Sequence, residues 1–332
     1  MFAVQSTLKT HRWFTRATRC ALPLLLAGVA LPAAAHNNPN VYVANEGDNT
    51  VSVINQHTDT VTATIPVGNV PSGLAESPNG NTVYVANSGD NTVSVINTAS
   101  NTVTTTVPVS STPVAAAVNP KGTDVYVANS NDNSVSVIDT ASNTVVATVP
   151  VGGDPSSVAV TPDGADVYVA NTDDGTVSVI DTATNTVVTT VPVGSNPFSV
   201  AVGPFDFRVY VVNVGSNDIS VIDRISNKVI NTVTAGNGPS AVAVGPLGLR
   251  FYVANFDDDT VSVINARNPA HAATVAVGTN PFALAVNRGN GNVYTANVGS
   301  NTVSVINPNT NKVVATVTVG STPAAVATQP GL

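Results

Sequence analysis

A tyrosine recurs every 42 residues along this chain. It stands at Tyr42, Tyr84, Tyr126, Tyr168, Tyr210, Tyr252 and Tyr294, each time within a phrase such as Tyr84-Val85-Ala86-Asn87. Two copies are altered, to Tyr210-Val211-Val212-Asn213 and Tyr294-Thr295-Ala296-Asn297. A fixed period of about 20–50 residues marks a repeat architecture. No insertion breaks the count, so every unit is expected to have one geometry.

Each unit holds four short runs rich in Val, Thr, Ile or Tyr. In one copy they are residues 155–160, 166–171, 176–181 and 186–193, and each is bounded by Gly, Asn, Asp or Pro. That is the pattern of strands joined by tight turns, and turns this short force antiparallel neighbours. No stretch after residue 35 shows a helical period. Seven such units predict an all-β fold, a seven-bladed β-propeller with four antiparallel strands per blade. Pro66, Pro108, Pro150 and Pro192 fall inside the fourth run. Proline lacks the ladder N–H, so the fourth strand is expected at the outer edge, where it also deters edge-to-edge aggregation. A second series, from Pro71 to Pro323, opens the innermost strand. The repeats begin with a second-type run at 41–45 and end with a first-type run at 322–329. The C-terminal strand should therefore join the N-terminal three and close the ring. Blade 1 then takes 322–329 with 41–68, and blades 2–7 take 71–110, 113–152, 155–194, 197–236, 239–278 and 281–320.

Residues 1–35 read as a secretory signal peptide: Lys9, Arg12, Arg16 and Arg19, then an apolar run at 21–32, then Ala33-Ala34-Ala35 as the cleavage site. The run is shorter than the roughly 20 residues that span a bilayer, and no later stretch reaches that length. The expected product starts at His36 and is exported: periplasmic, secreted or at the cell surface. Cys20, Met1 and Trp13 are the single copies of their types and would leave with the signal. The remainder has no thiol and so no disulfide. Removing the segment leaves eight basic residues against twenty acidic ones, taking the formal charge from −8 to −12. That balance counts against nucleic acid and anionic membrane as general partners.

The Tyr-Val-Ala-Asn phrase resembles the YVTN-repeat family of exported β-propellers, found among surface-layer and periplasmic proteins. Here Ala, or Val at one copy, stands where the family name has Thr. The resemblance runs over about 41–329 and implies the propeller fold and export. It implies no particular activity, because propellers host unrelated functions.

Little in the chain points to a cofactor, and none is expected. Haem ligation lacks a Cys-x-x-Cys-His, and the histidines beyond the signal, His36, His57 and His271, lie far apart in the repeat frame. The propellers of quinone-dependent dehydrogenases rely on Trp-rich blade motifs, and no Trp remains. There is no G-x-S-x-G elbow or phosphate-binding Gly loop. The abundant Ser and Thr are accounted for by strand propensity and solvation. The weak catalytic candidates are Glu76 and Arg288. Glu76 takes the place held elsewhere by Val118, Val160, Val202, Val244, Val286 and Thr328, and Arg288 stands where Pro246 and Pro330 stand. A buried carboxylate would have a raised pKa. With a guanidinium near the channel mouth, it would bind a small anion or lactone. The plainer reading leaves Glu76 partly solvated and Arg288 a loop residue.

Charge layout is more informative. Loops between second and third strands share one face with those between fourth and first. That face carries eleven of the twenty acidic residues and no Lys or Arg. It is densest at Asp257-Asp258-Asp259, then at Asp173-Asp174. The eight basic residues fall on the opposite face or its strand ends, seven of them in blades 5–7. These five aspartates are the binding-face candidates. Three adjacent carboxylates cannot all point at one ion, so weak divalent-cation binding in roughly the 10⁻⁴–10⁻³ M range, or a cationic partner, is the expectation. Asp and Asn also suit tight turns. The sequence thus predicts a monomeric exported binding or surface-interaction module acting through its loop faces, with an unknown protein or small ligand. Two alternatives stay open: a small-molecule hydrolase or lyase resembling lactonase propellers, with its site at the channel mouth, and a structural surface-layer component. A cluster of His, Glu and Arg at one channel end would favour the enzyme. A rim of Ser, Asn and Val would favour binding.

Overall fold

A computed structural model describes residues 40–205, 207–269 and 272–328. The expected signal segment 1–35, His36, His271 and residue 329 lie outside the described residues. The strands fall where the runs were read, for example Pro155–Val160, Asp166–Asn171, Thr176–Asp181 and Thr186–Pro192. They form seven four-stranded sheets, every pairing antiparallel. The first sheet runs Pro323–Thr328, Asn40–Asn45, Thr50–Asn55, Thr60–Pro66, with Val326 opposite Val43. The chain is a seven-bladed β-propeller, and its C-terminal strand closes the ring on blade 1. The first strands of successive blades are neighbours and surround the central channel, and the proline-bearing fourth strands lie outermost.

Packing explains why the strands of one blade read differently. Second and third strands such as Thr82–Asn87 and Thr92–Asn97 are buried on both faces, so they read as nearly unbroken apolar runs. The fourth strand, as in Thr102–Pro108, alternates exposed and part-buried positions. The core lies between the blades. Tyr84, Val93, Val95 and Val107 of blade 2 pack against Val125, Val127 and Ile138 of blade 3. At the closure Tyr294, Val303, Val305 and Val317 of blade 7 pack against Val41, Val43, Ile54 and Val326 of blade 1. Each of the seven apolar clusters among the described residues spans two adjacent blades. Each fully buried Val or Ile contributes about 1.5–3 kcal/mol, and all of it depends on the neighbouring blade.

The repeating tyrosines sit in these interfaces, at 0–4% exposure. The Tyr168 hydroxyl donates to Asn227 Oδ1 at 2.7 Å, in the third-to-fourth turn of blade 5. Burial pushes Tyr42, Tyr126, Tyr168 and Tyr294 up to about 12 from an ordinary 10.0. The turns follow local chemistry. Asn49, Asn91, Asn133, Asn217, Asp259 and Asn301 take positive φ in the second-to-third turns, and Gly175 does so in blade 4. Asn, Asp and Gly tolerate this left-handed region best.

Two predictions follow from the packing. Deleting residues 321–332 removes Val326 and the inner strand of blade 1, so the melting temperature should fall by well over ten degrees, as read by calorimetry. Survival within a degree or two would contradict the closure. The tyrosines give a pH signature. A folded-state pKa raised above the unfolded value stabilises the fold below about pH 10. That contribution is lost as pH rises toward 12. Phenolate absorbance should appear late and together with the loss of near-ultraviolet circular dichroism. Early titration of all seven tyrosines in a folded protein would refute it.

Candidate functional site

On the acidic face, the repeat residues first build the turns. The asparagine of each phrase is buried and reaches across its hairpin: Asn87 Nδ2 donates to Thr92 Oγ1 at 3.1 Å and Ser94 Oγ at 2.9 Å. The same serine is buried in every blade, for instance Ser52, Ser136 and Ser178. This corrects the expectation that strand propensity and solvation account for the serines. The signal was present as a constant seven-residue spacing from Asn to Ser, which antiparallel pairing turns into a contact.

Most of the aspartates also have a structural task. Each fourth-to-first connection is held by the turns on either side of it. Asp90 accepts the Asn69 N–H at 2.6 Å and the Asn69 side-chain amide at 2.7 Å. Asp48, Asp132, Asp174 and Asp258 accept from the equivalent N–H groups of Ser321, Ser111, Gly153 and Asn237 at 2.7–2.8 Å. Ser216 and Ser300 take this role more weakly in blades 5 and 7, both at 3.3 Å. From the other side Asn49 accepts the Val70 N–H and Asp259 the Asn280 N–H, both at 2.8 Å. These bonds hold Val70, Thr112 and Thr322 at φ of 53–57°, a conformation that β-branched residues rarely adopt.

The five binding-face candidates therefore divide. Asp174, Asp258 and Asp259 are each occupied by backbone N–H groups. The Asn237 backbone and side-chain amides hold Asp258 below the usual carboxylate range. Asp173 and Asp257 are exposed, and their carboxylates accept no hydrogen bond from described residues. Asp258 and Asp259 turn to different connections, at Asn237 and Asn280. Among the described residues no three His, Cys, Asp or Glu side chains are grouped to hold a metal ion.

The channel supplies two cavities. The one opening on the acidic face has a volume of about 470 Å³. Its rim comes from the second residue of each first strand and from Glu46 and Ser130, which follow the phrase asparagines of blades 1 and 3. Blades 5 and 7 place Phe198 and Phe282 there, edge to face at 5.7 Å, and Phe256 of blade 6 meets Phe282 at 6.3 Å. Across the opening stand Glu46, Ser72, Ser130, Asp154 and Ser156. Ser130 donates to Asp154, and Ser72 is 2.9 Å from Ser88. Burial raises the pKa of Glu46. Leu74, Val158, Val200 and Leu284 line the throat. The blade 5–7 wall thus carries two phenylalanines flanking Ser240, the other wall carries the carboxylates and further hydroxyls, and no Lys or Arg lines the cavity. These phenylalanines are not legible as site residues in the sequence, because single departures from a repeat carry no periodic signal.

The opposite cavity is about 420 Å³. Glu76 and Arg288 both line it, with a collar of Pro78, Pro120, Pro162 and Pro204. The structure thus brings the two weak catalytic candidates to one channel end. The Glu76 oxygens are shielded from solvent, and their charge adds to the burial that pushes Tyr42 up. Arg288 is exposed.

Comparisons with known proteins agree with this fold. The sequence matches the family described as "YNCE-like beta-propeller" over residues 108–245 and that described as "Lactonase, 7-bladed beta-propeller" over residues 32–146. Each match covers part of the ring. A PE-PGRS family protein of Mycobacterium tuberculosis, PE_PGRS18, is 56% identical over 45 residues, 14% of this chain and 10% of that protein's own length. Among solved structures, a functionally unknown protein from Desulfotomaculum acetoxidans superposes with a TM-score of 0.77 at 17% identity, covering 88% of this chain and 99% of that one. Kuenenia stuttgartiensis hydrazine synthase gives 0.71 at 22%, covering 77% and 88%. A Bacteroides uniformis protein proposed to be a 6-phosphogluconolactonase gives 0.72 at 18%, covering 88% and 99%. At these identities the likeness is one of fold.

The clamp engages Asp258 and leaves the adjacent Asp257 outside it. Asp258→Ala should lower the melting temperature by a few degrees, and Asp257→Asn should leave it unchanged. The Asp258 contribution should fade on acidification, because a depressed folded-state pKa stabilises only above the unfolded value. Thermal melts of both variants at neutral and acid pH test this. Equal behaviour would remove Asp258 from the clamp.

Proposed function

We propose that the protein is an exported binding module and that its ligand occupies the channel mouth on the acidic face. The observation that carries this reading is the split rim, with Phe198 and Phe282 on one side, Phe256 packed behind Phe282, and Glu46, Asp154 and serine hydroxyls on the other. A concave, partly apolar cavity with a few convergent polar groups is the usual form of a small-molecule site. The complementary ligand has an aromatic or aliphatic body and an end that is cationic or rich in hydroxyls. A ring cation would also gain from the aromatic faces. The hydrolase alternative has less support. It would have to work with Glu76, Arg288 and prolines at the other mouth, where no histidine lines the cavity.

The test is a thermal-shift series with aromatic amines, aliphatic amines and sugars. A ligand at about a hundred times its Kd adds about 2.7 kcal/mol of stability, a shift of several degrees. An aromatic amine should raise the melting point of the wild type. Phe282→Ala or Glu46→Gln should abolish that rise with little effect on the unliganded protein. For a cationic ligand, affinity should fall on acidification at a pH above the usual carboxylate range, because burial raises Glu46. A shift that survives both substitutions, or none with any ligand, would overturn the assignment.

A further inference from the structure

The face opposite the acidic loops carries an unexplained patch on blades 5–7. Its first-to-second and third-to-fourth turns expose large apolar side chains: Ile225 at 81%, Phe205 at 71%, Leu247 at 69%, Phe207 at 54% and Leu249 at 45%. Cations stand among them. The side chains of Lys228, Arg267, Arg288 and Lys312 make no hydrogen bond or ion pair with any described residue.

Hydrogen bonds tie these turns into one surface. The Arg224 N–H donates to the Phe207 carbonyl at 2.8 Å. Arg208 Nη1 donates to the Ala266 carbonyl at 2.6 Å, and the Ala266 N–H to the Leu249 carbonyl at 3.0 Å. Arg250 Nη1 reaches the Pro308 carbonyl at 2.6 Å. Between blades 6 and 7 the patch deepens into a groove of about 460 Å³, where Leu247, Leu249 and two prolines meet the guanidinium-bearing side chains of Arg250 and Arg288. Acidic groups border the patch on both sides: Asp163, Asp166 and Asp181 of blade 4 lie within one another's field, with Arg224 beside them, and Asp59 of blade 1 acts on Tyr294 of blade 7. Asp163 is paired with Arg224 at 2.9 Å. Asp223 accepts from Ser226 and lies in the field of Arg208. Asp206 is outside the described residues.

We propose that this patch docks the protein on an anionic phospholipid surface, with a lipid phosphate at the Arg250–Arg288 groove. Protein interfaces deplete charged residues from their apolar cores. Here Lys and Arg alternate with Phe, Ile and Leu on turn tips, as in segments that lie in the membrane interface. Anionic headgroups attract such cations within a Debye length. The charge layout also orients the molecule. The acidic face lies on the other side of the ring, so an anionic surface attracts the blade 5–7 patch and repels that face. The negative net charge opposes general membrane attraction but not docking by this local patch. Docked this way, the protein would keep the mouth of the proposed ligand site turned away from the bilayer.

Vesicle sedimentation of the chain from His36, which contains every strand of the ring, tests the proposal. The vesicles are phosphatidylglycerol mixed with phosphatidylcholine, and phosphatidylcholine alone, at low and physiological salt. Binding to the anionic vesicles should exceed binding to the neutral ones by at least about tenfold. Ile225→Ser with Leu247→Ser should reduce it by about tenfold or more. Arg267→Gln with Arg288→Gln should reduce it and flatten its salt dependence. Val146→Ser with Val188→Ser removes two side chains equally exposed, at 57%, on the outer edge of blades 3 and 4, and should change nothing. Melting temperatures of all variants should match the wild type, since every altered side chain is exposed. Equal partition to both vesicle types, or patch variants that bind like wild type, would overturn the proposal. So would a dimer, seen by sedimentation velocity without vesicles and dissolved by the patch variants, because a second copy would then occupy the surface.

Discussion

Burial of one blade's apolar face against the next is the interaction on which everything else depends. No blade has a core of its own, and a four-stranded sheet with two apolar faces is not a stable solution alone. The ring resolves this by giving every face a partner, including the seam where Val326 of the last strand joins Val41, Val43 and Ile54 of the first blade. The tyrosine of each phrase is fixed by the same constraint. Its ring fills the gap between blades. Its hydroxyl ends near the neighbour's outer turn, as with Tyr168 and Asn227.

The loops of the acidic face belong to that scheme. A connection that climbs from the outer strand of one blade to the inner strand of the next has backbone N–H groups with no ladder partner. Buried or half-buried amides need one. The Asp and Asn of the flanking turns supply it from both sides. The concentration of carboxylates is therefore, in large part, a by-product of seven similar connections. Asp173 and Asp257 stand outside the clamp, exposed on that face.

The proposed function rests on departures from the repeat. The consensus residues are consumed by packing and turns, so a ligand site has to be built from positions where one blade differs from the rest. Phe198 and Phe282 on one flank, with Phe256 packed behind Phe282 and with Glu46 and Asp154 on the other, make the channel mouth amphipathic. On the opposite face Phe205, Phe207, Ile225, Leu247 and Leu249 break the polar pattern of the turns. Both departures concentrate in blades 5–7, which also carry nearly all the cations.

The fold was legible in the sequence to the level of individual strands. A constant 42-residue period, alternation within runs and turn residues at fixed offsets specify the blade. The offset between the first and last runs specifies the closure. Pro66 and its equivalents name the edge, because a missing N–H has the same consequence in every environment. What the sequence could not decide was which polar groups were already spent. Asp257 and Asp258 are chemically identical neighbours, yet a backbone amide from a connection 21 residues away takes one and leaves the other. Likewise Glu46 and Asp154 come to face Phe198 and Phe282 across an opening only when the ring brings blades 1–4 opposite the later blades. Local periodicity determines secondary structure and order around the ring. Distances across the channel and competition for hydrogen bonds exist only once the ring is closed.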